Sequence, residues 1–253
     1  MHSTSYSEYL APCNALAREA GRLIMTYFNA AHNARKKADH SPVTDADIAA
    51  NTLIVNGLKK IAPHITIVAE EDEEAAASGH ETFWLVDPLD GTRSFVRGEP
   101  EFTVNIGLIH KHKTVLGVIY APPQQLLYYG LAGQGAFREA EGAKPERIQV
   151  RPPASDGLVV VRSRSQPSAV AAAFLKSIAV KDMLPSSSSL KFCVVAEGAA
   201  DIYPRFGRTM EWDTAAGQAI LEAAGGRMET ADGRPFLYGK PGYENPHFIA
   251  YGG

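Results

Sequence analysis

A chain of 253 residues, 45% hydrophobic and 21% charged, has the length of one large domain or two closely packed halves and the composition of an ordinary globular protein. Its 22 glycines and 16 prolines exclude a collagen-like or low-complexity chain, and its two widely separated cysteines, Cys13 and Cys193, exclude a disulfide scaffold or a CxxC zinc site and accord with a reducing compartment. A net charge of −3 lacks the basic surplus that nucleic-acid binding draws on, residues 1–10 lack the regions of a signal peptide, and no apolar run approaches the ~18 residues of a membrane span. The expectation is a cytoplasmic α/β protein without nucleic acid or integral membrane segment as partner.

Residues 7–30 read as an amphipathic helix, with Leu10, Leu16, Ala20, Leu23, Ile24 and Phe28 at helical spacing. A basic stretch (Arg35, Lys36, Lys37) follows. Thr44 then reads as the N-cap of a second helix reaching about Lys60, with Asp45 and Asp47 in its first turn and Pro63 beyond its end. The period then shortens: residues 65–69 and 83–86 are short strands, and 102–109 and 114–120 form a hairpin across 110–113. Residues 126–129, 136–138 and 147–150 continue the strands. Pro152-Pro153 is the best boundary in the chain, dividing it into residues 1–151 and 152–253. Beyond it, 158–161 is a strand, 169–178 and 190–197 are helices, 201–203 is a strand, 212–224 is a helix ended by Gly225-Gly226, and 248–251 is a final strand. Helices, then a meander, then α/β alternation imply layered sheets and helices.

Chemistry concentrates in Asp87-Pro88-Leu89-Asp90-Gly91-Thr92, at the exit of a strand. Two carboxylates three residues apart suit a hard divalent cation, which prefers oxygen ligands, and the following backbone N–H groups suit an anion if a helix starts there. A plain Asp-Pro/Asp-Gly surface turn would look the same. Glu70 stands at the end of the preceding strand as Asp87 does, so neighbouring strands would bring both to one rim, whereas Asp72, Glu73 and Glu74 read as a solvated acidic face. Asp47 and Asp213 each fit a second description, that of first-turn acids favoured by the helix dipole. The small residues Ala215, Ala216 and Gly217 call for close packing of the last long helix.

Together, Asp87–Thr92 as D-P-L-D-G-T and Trp212–Gly217 as W-D-T-A-A-G resemble the Mg²⁺-dependent, lithium-sensitive phosphatases of the inositol monophosphatase superfamily. Four further stretches, residues 37–44, 101–106, 188–193 and 202–207, resemble its bacterial 3′(2′),5′-bisphosphate nucleotidase branch. The resemblance implies a layered α-β-α-β-α sandwich and hydrolysis of adenosine 3′,5′-bisphosphate to AMP and phosphate. Two or three Mg²⁺ ions would be held by Glu70, Asp87, Asp90, Asp213 and the Leu89 carbonyl. Asp47, Thr92 and Glu70 would orient and deprotonate the attacking water, and the N–H groups of Gly91 and Thr92 would hold the phosphate. Ser188, Ser189, Lys191 and Arg205 would face the nucleotide. The first half would carry the metal motifs and the second close the site as monomer or homodimer, in the cytoplasm and compatible with peripheral contact at the inner membrane face.

Two departures bear on substrate choice. The branch usually follows D-G-T with Lys-Glu-Phe where this chain has Arg93-Ser94-Phe95, and Ser187 stands where Gly is common, so a left-handed turn there would be strained. An inositol or sugar monophosphate substrate would use the same metal residues, and a non-catalytic nucleotide binder would have lost one of them.

Overall fold

The computed structural model describes residues 6–30, 34–36, 42–72, 79–164 and 168–253. Lys37 to Ser41 of the 37–44 motif, together with Glu73 and Glu74 of the acidic run, lie outside the described residues.

Helix α1 (Ser7–Phe28) is followed by a small antiparallel ribbon, β1 (Ala34–Lys36) with β2 (Pro42–Thr44), and then by α2 (Asp45–Ile61). Strands β3 (Thr66–Ala69) and β4 (Thr82–Asp90) run parallel; the short helix α3 (Thr92–Val96) leads to β5 (Thr103–His110). The antiparallel meander continues through β6 (Lys113–Ala121), β7 (Leu126–Leu131), β8 (Gly135–Ala140) and β9 (Glu146–Ile148), so that β3 to β9 form one seven-stranded sheet in sequence order. Beyond the two prolines the chain enters a second sheet. Its elements are β10 (Leu158–Arg162), α4 (Ala169–Lys176), β11 (Val180–Pro185), α5 (Leu190–Ala196), β12 (Ile202–Arg205), α6 (Glu211–Ala223), β13 (Arg227–Thr230) and β14 (Phe248–Tyr251). The strand order is β11-β10-β12-β14-β13, parallel on the β11, β10, β12 side and antiparallel on the other.

The two-residue period of β4 builds two cores at once. Trp84 and Val86 join Ala17, Ala20 and Ile24 of α1 and Ala50, Ile54 and Leu58 of α2 on one face. Phe83 and Leu85 point oppositely, into a core with Phe192 of α5, Ala215, Ala216 and Ile220 of α6, and Tyr203 and Phe248 of the second sheet. Phe174 and Leu175 of α4 cover the far side of that sheet over Val160, Ile202 and Ile249. The layers are therefore α1/α2, seven strands, α5/α6, five strands and α4, as expected.

One feature fixes α6 closely. Gly107, Gly117 and Gly130 stand opposite one another across β5, β6 and β7. A Cβ on Gly117 would run into the Ala216 carbonyl oxygen, one on Gly107 would meet the Ala215 Cβ at 2.8 Å, and one on Gly130 the Ile220 Cα at 2.9 Å. The helix thus lies backbone-on-backbone in a glycine groove, with Phe192 pressed against Gly217 on its opposite side.

The β1–β2 ribbon is not expected from the sequence, and three further elements also depart from expectation. Strand β4 runs four residues beyond Val86, to Asp90, through an irregularity in pairing with β5 between Asp87 and Asp90. Strand β11 is half exposed and carries no apolar alternation, and β13 is short and polar, so neither shows a periodic signal.

Candidate active site

Parallel pairing sets Ala69 of β3 opposite Val86 of β4, and the Glu70 N–H donates to the Val86 carbonyl at 3.0 Å. Glu70 and Asp87 therefore leave the same rim of the sheet side by side. Pro88 cannot donate to a ladder, so the strand bulges there. The Leu89 N–H turns back to the Asp87 Oδ1 at 3.0 Å, and pairing resumes at Asp90 opposite Thr103. Gly91 then takes φ +100°, where a Cβ would lie 2.9 Å from the Glu101 carbonyl, and α3 starts. Its leading N–H groups have no acceptor within the helix and border the cavity.

Two helix starts deliver the remaining acids. In α2, the Asp47 Oδ2 accepts from the Thr44 N–H at 2.8 Å and from its hydroxyl at 2.5 Å, while the Thr92 hydroxyl lies 3.1 Å from Asp47 Oδ1 and 3.1 Å from the Leu89 carbonyl. The helix-cap description of Asp47 holds on Oδ2, while Oδ1 faces the Thr92 hydroxyl. Asp213 behaves likewise: its Oδ2 accepts the Met210 N–H at 2.8 Å and thereby fixes the first turn of α6.

Carboxylate oxygens of Glu70, Asp87 and Asp213 lie within 4.8 Å of one another. Burial, then the charges of Glu70, Asp90, Asp213 and Asp47, push the Asp87 carboxyl well above its ordinary range. Burial and Asp90 push Asp213 up to about 8, against the opposing Met210 N–H. Converging hard oxygen donors that repel one another without a counter-charge fit a divalent cation. Asp90 borders the same cavity of about 790 Å³, yet stands outside the group of three, and its Oδ2 accepts the Ser188 hydroxyl at 2.7 Å.

A second cavity of about 490 Å³ adjoins the first, sharing Asp90, Arg93, Arg205, Thr209 and Asp213 with it. Lys191 is buried in its wall with Nζ on the Ser188 carbonyl at 2.5 Å and over the Tyr203 ring; burial lowers its pKa to about 8. The Arg205 guanidinium reaches the Ser163 hydroxyl at 3.4 Å and the Arg208 carbonyl at 3.2 Å, leaving its buried Nε without a partner among the described residues. Ser189 is turned inward, with its hydroxyl on Asn105 Oδ1 at 2.7 Å and Thr103 Oγ1 at 2.8 Å. The left-handed residue of the serine run is Ser188, at φ +57°, rather than Ser187. A third, smaller cavity of about 220 Å³, lined by Val160, Ala171, Leu175, Pro204 and Phe206, opens beside Ser163 and Arg205.

Sequence reasoning missed Arg97, Ser163, Arg164 and Thr209 in the second cavity, and Glu101 behind it. The available signal was the Arg162-Ser163-Arg164 run at the carboxyl end of a parallel strand, where α/β sheets gather ligands.

The Inositol monophosphatase family model matches residues 5–248. The 3′(2′),5′-bisphosphate nucleotidase CysQ of Escherichia coli O157:H7 is 44% identical over 238 residues, covering 92% of this chain and 95% of that protein. The protein of the same name from Buchnera aphidicola is 44% identical over 227 residues, covering 88% and 84%. Among solved structures, CysQ from Bacteroides thetaiotaomicron, described as a bacterial member of the inositol monophosphatase family, superposes with a TM-score of 0.82 at 36% identity over 98% of both chains. An IMPase from Thermotoga maritima gives 0.78 at 28% identity, covering 94% and 90%.

Proposed function

This chain belongs to the inositol monophosphatase family, and from that premise we propose that it is a Mg²⁺-dependent 3′(2′),5′-bisphosphate nucleotidase that hydrolyses adenosine 3′,5′-bisphosphate to AMP and phosphate. The observation that carries the reading is the adjacency of a three-carboxylate cluster to a cavity walled by Lys191 and Arg205. The acids suit a metal-assisted phosphoryl centre; the cations suit a second phosphate that an inositol monophosphate lacks.

Glu70, Asp87, Asp90, Asp213 and the Leu89 carbonyl would hold two or three Mg²⁺ ions. Mg²⁺ supplies charge neutralisation for the phosphoryl oxygens and acidifies water. Thr92, donating to Asp47, keeps its lone pairs for a hydrogen of the attacking water, and Glu70 stands ready to receive the proton. The N–H groups of Gly91 and Thr92 would hold the phosphate being transferred. In the second half, Ser188, Ser189, Lys191 and Arg205 would serve the nucleotide. Ser188 also braces Asp90, and Ser189 acts from behind through Asn105. The apolar third cavity, next to Arg205, suits the base.

Residues 1–151 would carry most of the metal set, and residues 152–253 would close it with Asp213. Among the described residues no helix is long and apolar enough to cross a membrane. Two buried free thiols, Cys13 and Cys193, accord with a reducing cytoplasm.

Phosphate release from adenosine 3′,5′-bisphosphate and from inositol-1-phosphate, measured side by side in Mg²⁺ buffer, tests the proposal. Preference for the nucleotide supports it. Preference for inositol-1-phosphate would overturn the substrate and leave the metal residues as assigned, with Arg93, Ser94 and Ser187 as the departures responsible.

A further inference from the structure

An ion pair at the wall of the second cavity joins the two sheets. Glu101 stands just before β5 of the seven-stranded sheet, and Arg164 two residues beyond β10 of the other. Arg164 Nε lies 2.9 Å from each Glu101 carboxylate oxygen, and its Nη2 also bonds Oε1. The two partners are unequally held. The Arg164 side chain is 56% exposed and borders the cavity, whereas that of Glu101 is 21% exposed. The Glu101 backbone lies against Gly91 in the turn assigned to the transferred phosphate, where a Cβ would come within 2.9 Å of its carbonyl. The Arg164 guanidinium holds the Glu101 carboxyl below the usual range, with Ser187 and the Lys191 charge acting in the same direction. Of the other cations there, Arg97 pairs locally with Glu99 at 3.3 Å.

We propose that Glu101 is a placeholder for a substrate phosphate: it holds Arg164 across the cleft until the second phosphate of a bisphosphate takes the guanidinium, so that Arg164 determines specificity for doubly phosphorylated substrates. The inference rests on the nucleotidase reading above and adds residues that reading does not use. Guanidinium fits phosphate and carboxylate by the same fork geometry, and the dianion is the stronger partner. An exposed pair is weak enough to yield. When Arg164 swings away, the Lys191 charge still favours the Glu101 carboxylate, whose side chain keeps 21% of its surface open to solvent.

The test compares adenosine 3′,5′-bisphosphate with adenosine 3′-monophosphate, which has the same base and the same scissile ester. Arg164→Ala is expected to raise KM for the bisphosphate about tenfold at nearly constant kcat, while the monophosphate loses less than about twofold in kcat/KM. Arg164→Lys should recover part of the loss, since it keeps the charge but not the fork. Glu101→Gln, which frees Arg164, should lower KM for the bisphosphate severalfold. Equal losses on both substrates with Arg164→Ala, or a higher bisphosphate KM with Glu101→Gln in protein that melts as wild type, would overturn the placeholder. Wild-type enzyme that does not distinguish the two nucleotides would overturn the placeholder, whereas preference for inositol-1-phosphate over both would overturn the nucleotidase reading itself.

Discussion

Asp213→Asn should make the metal-free protein more stable and remove most of its response to Mg²⁺. In the folded chain without metal, burial and Asp90 push the Asp213 carboxyl up to about 8 from an ordinary 3.8. A carboxyl whose folded pKa is raised binds more protons folded than unfolded, so it destabilises progressively as pH rises from about 4 and levels off above about 8. One pKa unit is worth about 1.36 kcal/mol, which sets a ceiling of about 4 kcal/mol at pH 7. Asp213 is partly open to cavity water, and screening there brings the expected gain to about 2 kcal/mol. That corresponds to a rise of about 4–8 °C in Tm for a chain of this size. The amide keeps the oxygen that accepts the Met210 N–H, so the first turn of α6 loses no cap. The assay is thermal melting of both proteins in chelator and in Mg²⁺ at pH 5 and pH 8. The gain in chelator should be smaller at pH 5, and wild type alone should gain substantially from Mg²⁺. A lower Tm in chelator, or an equal gain at both pH values, would refute the electrostatic account of the cluster.

Three further outcomes are expected. Asp90→Asn should reduce turnover by about three orders of magnitude in phosphate release while melting no lower than wild type, because the amide can still accept from Ser188 and removes a charge that repels Asp213 and Asp87; an active variant would remove Asp90 from the metal set. Gly91→Ala should cost about 3 kcal/mol in urea unfolding, since it combines φ +100° with a 2.9 Å approach to the Glu101 carbonyl. Arg205→Ala should lose at least about tenfold more kcat/KM on adenosine 3′,5′-bisphosphate than on inositol-1-phosphate; equal losses would make the residue structural.

What the sequence made legible depends on how locally each feature is encoded. Asp87, Asp90 and Thr92 sit in one hexapeptide whose turn chemistry announces itself, and Asp213 follows a helix start with small residues behind it. Glu70 was readable because a strand ends there. The pair Glu101–Arg164 was not, because its partners lie 63 positions apart and neither belongs to a periodic pattern. The inward turn of Ser189 was equally hidden, since it depends on Asn105, 84 positions earlier. Glu211 stood beside the W-D motif without any sign that it would be fully buried, accepting the N–H groups of Gly239 at 2.8 Å and Lys240 at 2.9 Å and the Lys240 ammonium at 2.6 Å. Strand β11 escaped because an edge strand with exposed side chains carries no alternation to read.

The glycine groove under α6 has a mechanical meaning. A helix resting on side chains can be tilted by repacking them, but one resting on bare backbone has no compressible cushion between itself and the sheet. Gly107, Gly117 and Gly130 act as the ways of a machine bed, and the carboxylate at the leading end of α6 is the tool they index. Enlarging any of them would move Asp213 bodily, even though none of the three belongs to the site it aligns. Variation in substrate preference is therefore free to accumulate in the short helix that carries Arg93 and the loops that carry Arg164 and Ser187, because the reference surface against which the metal cluster is set lies elsewhere.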